Sequence, residues 1–271
     1  MNMSTGIHFT DNQWALIKPC IPKPKRMGRP RADDHRTLEA ILWVDKTGAR
    51  WQDLPKEYGD DSTANRRLLQ WQDQGVWDTI WQAALQVADE QGLLDLTQTN
   101  LAATFAPAKG GGDGVGLTRK GKGTKTLMVS EANSLPLSVS VAAADEAETA
   151  LALPTVDKIR IPKRRGRPQT RPRRICGDKA YDSMPLRREF RRRGITANFP
   201  ERVSAKRKRR RKGPKPKCPK VIYAQRYKVE RTFAWLGYFR RLLVRWERKL
   251  SAFLGFVNFT CMFMLIRKVA A

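Results

Sequence analysis

Apolar residues in the first ninety positions recur at helical spacing, with tryptophans among them. FTDNQWALIKPCIP reads as a helix with Thr10 as its cap and a stop near Pro19 and Pro22. RTLEAILWVDKTG, from Arg36, is apolar-periodic and ends near Gly48. DSTANRRLLQWQDQGVW begins with Asp61 or Ser62 as the candidate cap, and its leucines and Trp71 form a packed face. IWQAALQVADEQG, from Ile80, gives a further helix. Short helices of this kind build either a helix-turn-helix type module or an ordinary helical bundle with a basic surface. In the first case Ser62 to Trp71 is the recognition helix, and Arg66 and Arg67 are exposed for DNA.

The pattern changes after residue 95. Residues 99–108 are weakly strand-like, and TKTLMVSEA and LPLSVSVAA are strands joined by a turn at Asn133 and Ser134. Between them PAKGGGDGVGLTRKGKGTK is glycine-rich and basic. It lacks the spacing of a phosphate-binding loop, so a mobile hairpin or a backbone-contacting loop fits better. DEAETALALPTVDKI is a helix, residues 173–178 a short strand ending in Asp178, SMPLRREFRRRG a helix and ITANFP a strand. Residues 201–220 are too polar for a core, and helix resumes around Tyr223. Three strands with short links favour an antiparallel meander, and helical crossovers add parallel strands. The expected fold is α/β, a mixed sheet with flanking helices over 96–271, with a basic insertion around 201–220, after a helical domain over 1–95. AFLGFVNFTCMFMLI, residues 252–266, is shorter than the roughly 20 apolar residues a membrane span needs. Basic residues bound it, so it reads as a buried helix, and no membrane partner is expected.

Charge narrows the function. The chain has 271 residues, 53 Lys or Arg against 26 Asp or Glu, and a net charge of +27. Such an excess points to a polyanionic partner. Cysteines 20, 176, 218 and 261 form no CxxC pair, and with two histidines they exclude zinc fingers. They are expected free, in a reducing compartment. MNMSTGIHFTDNQW has no signal-peptide pattern.

DNA phosphoryl transfer uses carboxylates that hold two divalent metals about 4 Å apart. Asp178 ends a strand in GDKAYDS, and Glu230 opens the helix YKVERTFAWL. Each also has a structural reading: Asp178 as a helix cap, Glu230 as the partner of Arg226 four residues earlier.

FTDNQWALIKPCIP, GRPRADDHRTLEAILWVDKTGARWQDLP and YGDDSTANRRLLQWQDQGVWDTIW resemble the N-terminal helical region of the bacterial insertion-sequence DDE transposases, in the insertion sequence five group. TFAPAKGGG, TRKGKGTK and LPLSV resemble the start of their catalytic domain. CGDKAYDS and YKVERTFAWLGYFRRLLVRWE resemble its second and third acid motifs. The resemblance covers nearly the whole chain. It implies an RNase H-like core behind an all-α helix-turn-helix-like DNA-binding domain. It also implies a three-acid site binding two Mg²⁺, with Mn²⁺ as a substitute. Asp178 takes the second Asp position and Glu230 the Glu position, both as catalytic metal ligands. The implied activity is metal-dependent strand cleavage and strand transfer at terminal inverted repeats. The implied partners are double-stranded DNA, the terminal repeats and the target, bound by a homodimer or larger nucleoprotein complex. The implied location is the bacterial cytoplasm, with the nucleoid. Tyr223, Arg226 and Glu230 keep the Y-two-R-three-E spacing of the related insertion sequence four group. The lysine seven residues further on is Gly237 here.

The first acid departs from the pattern. The family phrase Asp-Gly-Ser/Thr-Phe before APAK reads AATFAPAK, which puts Ala102 at the position of the expected first Asp. Reduced metal binding and lost catalysis are therefore expected. The chain is then an inactivated transposase or, alternatively, a non-catalytic transposase-derived sequence-specific DNA-binding protein. Asp95 lies seven residues earlier, roughly 20 Å along an extended strand and of opposite parity. Glu131 and Asp145 match no motif. An engineered Asp-to-Ala change and natural loss both produce this pattern, and the otherwise intact motifs favour engineering. Arg66, Arg67, Lys109, Lys122, Lys125, Arg226, Arg231, Arg240 and Arg241 are the expected phosphate contacts. GRPR at 28–31 and RRGRPQ at 164–169 are either minor-groove arms or basic loops. KRKRRRK at 206–212 is either a phosphate-binding run or a solvated loop.

Overall fold

The computed structural model describes residues 7–24, 27, 30–202, 218–225 and 227–270. Local signals set the N-terminal helices. α1 (Asp11–Ile17) starts in a capping box, in which Thr10 and Gln13 each accept from the other's backbone amide. α2 (Asp34–Thr47) is capped by Asp33 and ends at Gly48, whose φ of 71° is left-handed. α3 (Asp61–Asp73) is capped by Asp60, which accepts from the Thr63 amide at 2.6 Å. The cap is thus one residue before Asp61 and two before Ser62, the expected candidates. α4 (Val76–Glu90) starts ahead of the expected Ile80, because Gly75 turns the chain at φ 68° and lets Val76 and Trp77 enter the core.

The sheet contains β1 (Thr99–Pro107), β2 (Gly116–Thr118), β3 (Gly121–Ser130), β4 (Pro136–Ala143), β5 (Arg174–Cys176) and β6 (Thr196–Asn198). β1, β3 and β4 form the antiparallel meander, and β2 is a short hairpin partner of β3. β5 runs parallel to β1 and β6 parallel to β5. The order β4–β3–β1–β5–β6 is an RNase H-like mixed sheet, preceded by an all-helical region. α5 (Glu148–Asp157) and α6 (Met184–Arg192) make the crossovers. α7 (Lys220–Ala224) and α8 (Tyr227–Leu236) lead to the final helix, α9 (Leu250–Val269). The β3–β4 turn lies at Asn133 and Ser134, with Ser134 at φ 76°.

α9 organises the core. It is buried from Phe253 through Ile266 but for Leu254, and packs on α3, α4 and β4. It is long and apolar enough to cross a membrane, but here protein covers that surface. One hydrophobic cluster therefore joins Ile41, Trp71 and Trp77 of the helical region to Leu127, Val139 and Phe259. The 1–95 and 96–271 regions share this core.

Candidate active site

β1 packs against α8. Gln98 Nε2 donates to the Ile222 carbonyl at 3.1 Å, and Thr104 lines one cavity with Phe233 and Leu236. Ala102 is half-buried in the middle of β1. The parallel pairing of β1 with β5 sets Asn100 beside Cys176. That pairing ends at Asn100 and Cys176, two residues before Ala102 and Asp178 in their respective chain segments. β5 itself stops at Cys176, short of the expected Asp178 end, because Asp178 caps the turn Lys179–Tyr181. Its Oδ1 accepts from the Ala180 amide at 2.7 Å.

α8 rests on β1 and β3 through Val229, Thr232 and Leu236. Thr232 Oγ1 donates to the Ser134 carbonyl at 2.8 Å, which fixes the helix against the β3–β4 turn. Glu230 is exposed at the first turn of α8, next to buried Val229. Its expected partner Arg226 lies outside the described residues.

The donor set that the family resemblance implies is a carboxylate at 178, a carboxylate at 230 and, in place of the first acid, a methyl at 102. Mg²⁺ takes oxygen ligands in near-octahedral geometry, and a methyl offers none. Among the described residues no three His, Cys, Asp or Glu gather as a metal cage. This set does not fit a resident metal pair. Other carboxylates have structural work elsewhere. Glu131 is fully buried and accepts from the Leu135 amide at 2.8 Å and the Asp95 amide at 3.2 Å. Burial raises its pKa. Asp95 accepts from the Thr97 amide and hydroxyl at 2.9 and 2.6 Å. Asp145 lies against Gly116 of β2.

Sequence reasoning missed a buried polar row one pleat below Ala102. Ser130, Asn100, Cys176 and Asn198 stand in register across β3, β1, β5 and β6. All are buried, and both side-chain polar atoms of Asn100, Ser130 Oγ and Asn198 Nδ2 have no hydrogen-bond partner among the described residues. The available signal was an asparagine in each of β1 and β6. Burial also pushes the Cys176 thiol up to about 11, which makes it a poor nucleophile.

The expected DNA contacts divide. Arg66, Lys109, Lys122, Arg231 and Arg240 are exposed. Arg67 is half-buried rather than exposed, because its guanidinium lies over the Trp71 ring at 5.4 Å. Lys125 is folded down onto the Glu146 carbonyl at 2.7 Å. Arg241 is buried, donating to Glu247 Oε1 at 2.7 Å and the Ala49 carbonyl at 3.0 Å, a geometry that removes it from the surface. The 164–169 phrase forms a loop closed by reciprocal Ile161–Gln169 hydrogen bonds of 2.9 Å, with Arg164, Arg165 and Arg167 exposed. Gly28 and Arg29 of the first GRP phrase, and the 206–212 run, lie outside the described residues.

Two family profiles match the chain. Residues 9–81 match "Putative transposase of IS4/5 family", and residues 90–265 match "Transposase DDE domain". The second match covers well over half of the chain. The chain belongs to the bacterial IS4/5-family DDE transposases. Among relatives, it is 38% identical over 118 residues to the "Insertion element IS402 uncharacterized 16.2 kDa protein" of Burkholderia cepacia, covering 40% of this chain and 78% of that one. It is 37% identical over 135 residues to the "Putative transposase for insertion sequence element IS402" of the same organism, covering 49% and 58%. A cryo-EM structure described as the piggyBac transposase synaptic complex with hairpin DNA superposes with a TM-score of 0.51 at 11% identity. That match covers 95% of this transposase and 71% of the other chain, and it shows a shared fold.

Proposed function

We propose that this chain binds double-stranded DNA at the terminal inverted repeats of its element, and that the cleavage and strand-transfer chemistry of its family is disabled at Ala102. What supports this is the motif match that puts Ala102 where the family carries its first Asp, on the strand β1 that pairs in parallel with β5 two residues before Asp178. The family's catalytic domain uses divalent metal ions. The donor set here does not fit a resident pair, and no cleavage step is assigned to this chain. The +27 charge supplies the attraction to phosphate.

In this reading residues 1–95 give end specificity through the exposed edge of α3, and residues 96–271 hold the DNA for a homodimer or larger complex. Duplex DNA as the partner also argues for the bacterial cytoplasm and nucleoid. A second reading, a non-catalytic transposase-derived DNA-binding protein, is favoured by the engagement of Glu131 and Asp95, which leaves neither to replace the first acid.

The test is binding and Mg²⁺-dependent nicking on matched element-end DNA, against scrambled duplex. Preferential binding without nicking is expected. Single-turnover cleavage by the purified chain would sink the missing-ligand reading. Equal affinity for both duplexes would remove end recognition.

A further inference from the structure

Arg245 is fully buried, and each of its five N–H groups meets an acceptor. Nε donates to the Glu247 carbonyl at 2.8 Å. Nη1 donates to the Gly114 carbonyl at 3.0 Å and Thr124 Oγ1 at 2.6 Å. Nη2 donates to the Asp113 carbonyl at 2.6 Å and the Arg248 carbonyl at 3.1 Å. The acceptors come from two stretches far apart in sequence, 113–124 and 247–248. One planar guanidinium therefore rivets the glycine-rich strap to the segment that enters α9.

The strap itself is shaped for this contact. A Cβ on Gly112 would stand 2.0 Å from the Arg248 carbonyl oxygen, and one on Gly114 would stand 2.7 Å from the Leu250 side chain. Asp113 Oδ1 accepts from the Leu250 amide at 2.9 Å. The Lys109 amide donates to the Arg245 carbonyl, and the Arg245 amide to the Pro107 carbonyl. Glycines at 112 and 114 permit a close approach that any side chain would block.

The strap leads into the β2–β3 hairpin. Its pairing closes at Thr118 and Gly121, so Arg119 and Lys120 form the tip. Arg119, Lys120 and Lys122 are exposed, and no acid occurs between residues 114 and 130. Such a run of glycine and cations would be mobile if untethered, and binding would then cost ordering entropy.

We propose that Arg245 is a positioning residue that fixes the β2–β3 hairpin as a rigid basic finger, whose Arg119, Lys120 and Lys122 take the phosphate backbone of duplex DNA. This rests on the DNA-binding reading above. The full-length chain is titrated with a short duplex of arbitrary sequence at several salt concentrations. The combined variant Arg119→Gln, Lys120→Gln, Lys122→Gln is expected to lower the slope of log K against log salt by up to about 2.7. Arg245→Lys keeps the charge but loses the planar five-donor fork. It is expected to lose the same slope, to speed hydrogen exchange at 110–124, and to cost nothing further in the finger-variant background. Gly112→Ala, which pushes the strap off Arg248, is expected to behave alike and serves where Arg245→Lys does not fold. A finger variant with unchanged slope overturns the proposal. So does an Arg245→Lys or Gly112→Ala loss that persists undiminished in the finger-variant background, since that marks a general structural defect. An unmodified chain that binds no duplex overturns the DNA-binding reading instead.

Discussion

Thr260 Oγ1 donates to Asp45 Oδ2 at 2.5 Å, a buried hydrogen bond that joins α9 to α2 across 215 residues of chain. Asp45 is fully buried, and its Oδ1 has no partner among the described residues. Burial pushes its pKa well above the ordinary value, against smaller opposing effects from Thr260 and Arg241. The folded state therefore holds the proton more tightly than the unfolded state. The stabilisation it gives is complete below the ordinary carboxylate pKa of about 3.9 and is lost as pH rises through the raised folded value. Asp45→Asn mimics the protonated acid and keeps an acceptor for Thr260. Its Tm should exceed that of the parent at neutral pH, with the difference vanishing towards pH 4. Thermal unfolding of both proteins across that range checks this, and a difference that grows on acidification would contradict it.

The same helix makes the N-terminal region dependent on the C-terminus. Phe259 meets the edge of Trp77 at 5.2 Å, and Asn258 Nδ2 donates to Gln72 Oε1 at 3.1 Å. Phe259→Ala should cost about 3–5 kcal/mol, the range for emptying a buried aromatic site. A fragment of residues 1–95 lacks α9 and leaves the packed face of α3 and α4 open. It should show no cooperative thermal transition by circular dichroism. A sharp transition in that fragment would show that the helices carry their own core.

These contacts mark where sequence reading stops. Thr10, Gly48 and the Asn133–Ser134 turn were legible because caps and turns are local. The meander and the two crossovers followed from strand spacing. α9 was legible as buried from its all-round apolarity, but nothing in residues 252–266 says that α3, α4 and β4 are what cover it. At the site, Ala102, Asp178 and Glu230 were visible from motifs, while the parallel pairing of β1 with β5 just before 102 and 178 is a property of the fold. Arg241 and Arg245 look like surface cations in a basic run. Only the folded chain shows that Glu247 and the carbonyls around Gly114 claim them.

Arg240 and Arg241 should accordingly separate in their effects. Glu247 holds Arg241 in a largely buried ion pair at 2.7 Å. Glu247→Ala leaves that cation without its partner, and loss of about 3–5 kcal/mol is expected in denaturant unfolding. Arg240 is exposed, so Arg240→Gln should change stability by no more than about 0.5 kcal/mol. It should weaken duplex binding and lower the salt slope by about 0.9 if it meets one phosphate. Loss of stability in Arg240→Gln, or none in Glu247→Ala, would reverse the assignment of the two arginines.

Restoring the carboxylate is the sharpest test of the site. Ala102 is half-buried on β1, the strand that pairs in parallel with β5 just before Asp178. Ala102→Asp would supply the third carboxylate that the family site implies. Without metal, clustered like charges repel and should lower Tm below that of the parent. Saturating Mg²⁺ or Mn²⁺ should then raise Tm in Ala102→Asp by more than in the parent. A hundredfold excess over Kd corresponds to about 2.7 kcal/mol of added stability. This readout stands apart from catalysis, which also needs the right DNA ends. Nicking and strand transfer should appear in the Ala102→Asp protein and vanish in Ala102→Asp with Glu230→Gln, while duplex binding persists in both. If Ala102→Asp folds and binds DNA yet shows no metal-dependent stabilisation and no nicking, the first acid does not belong at position 102.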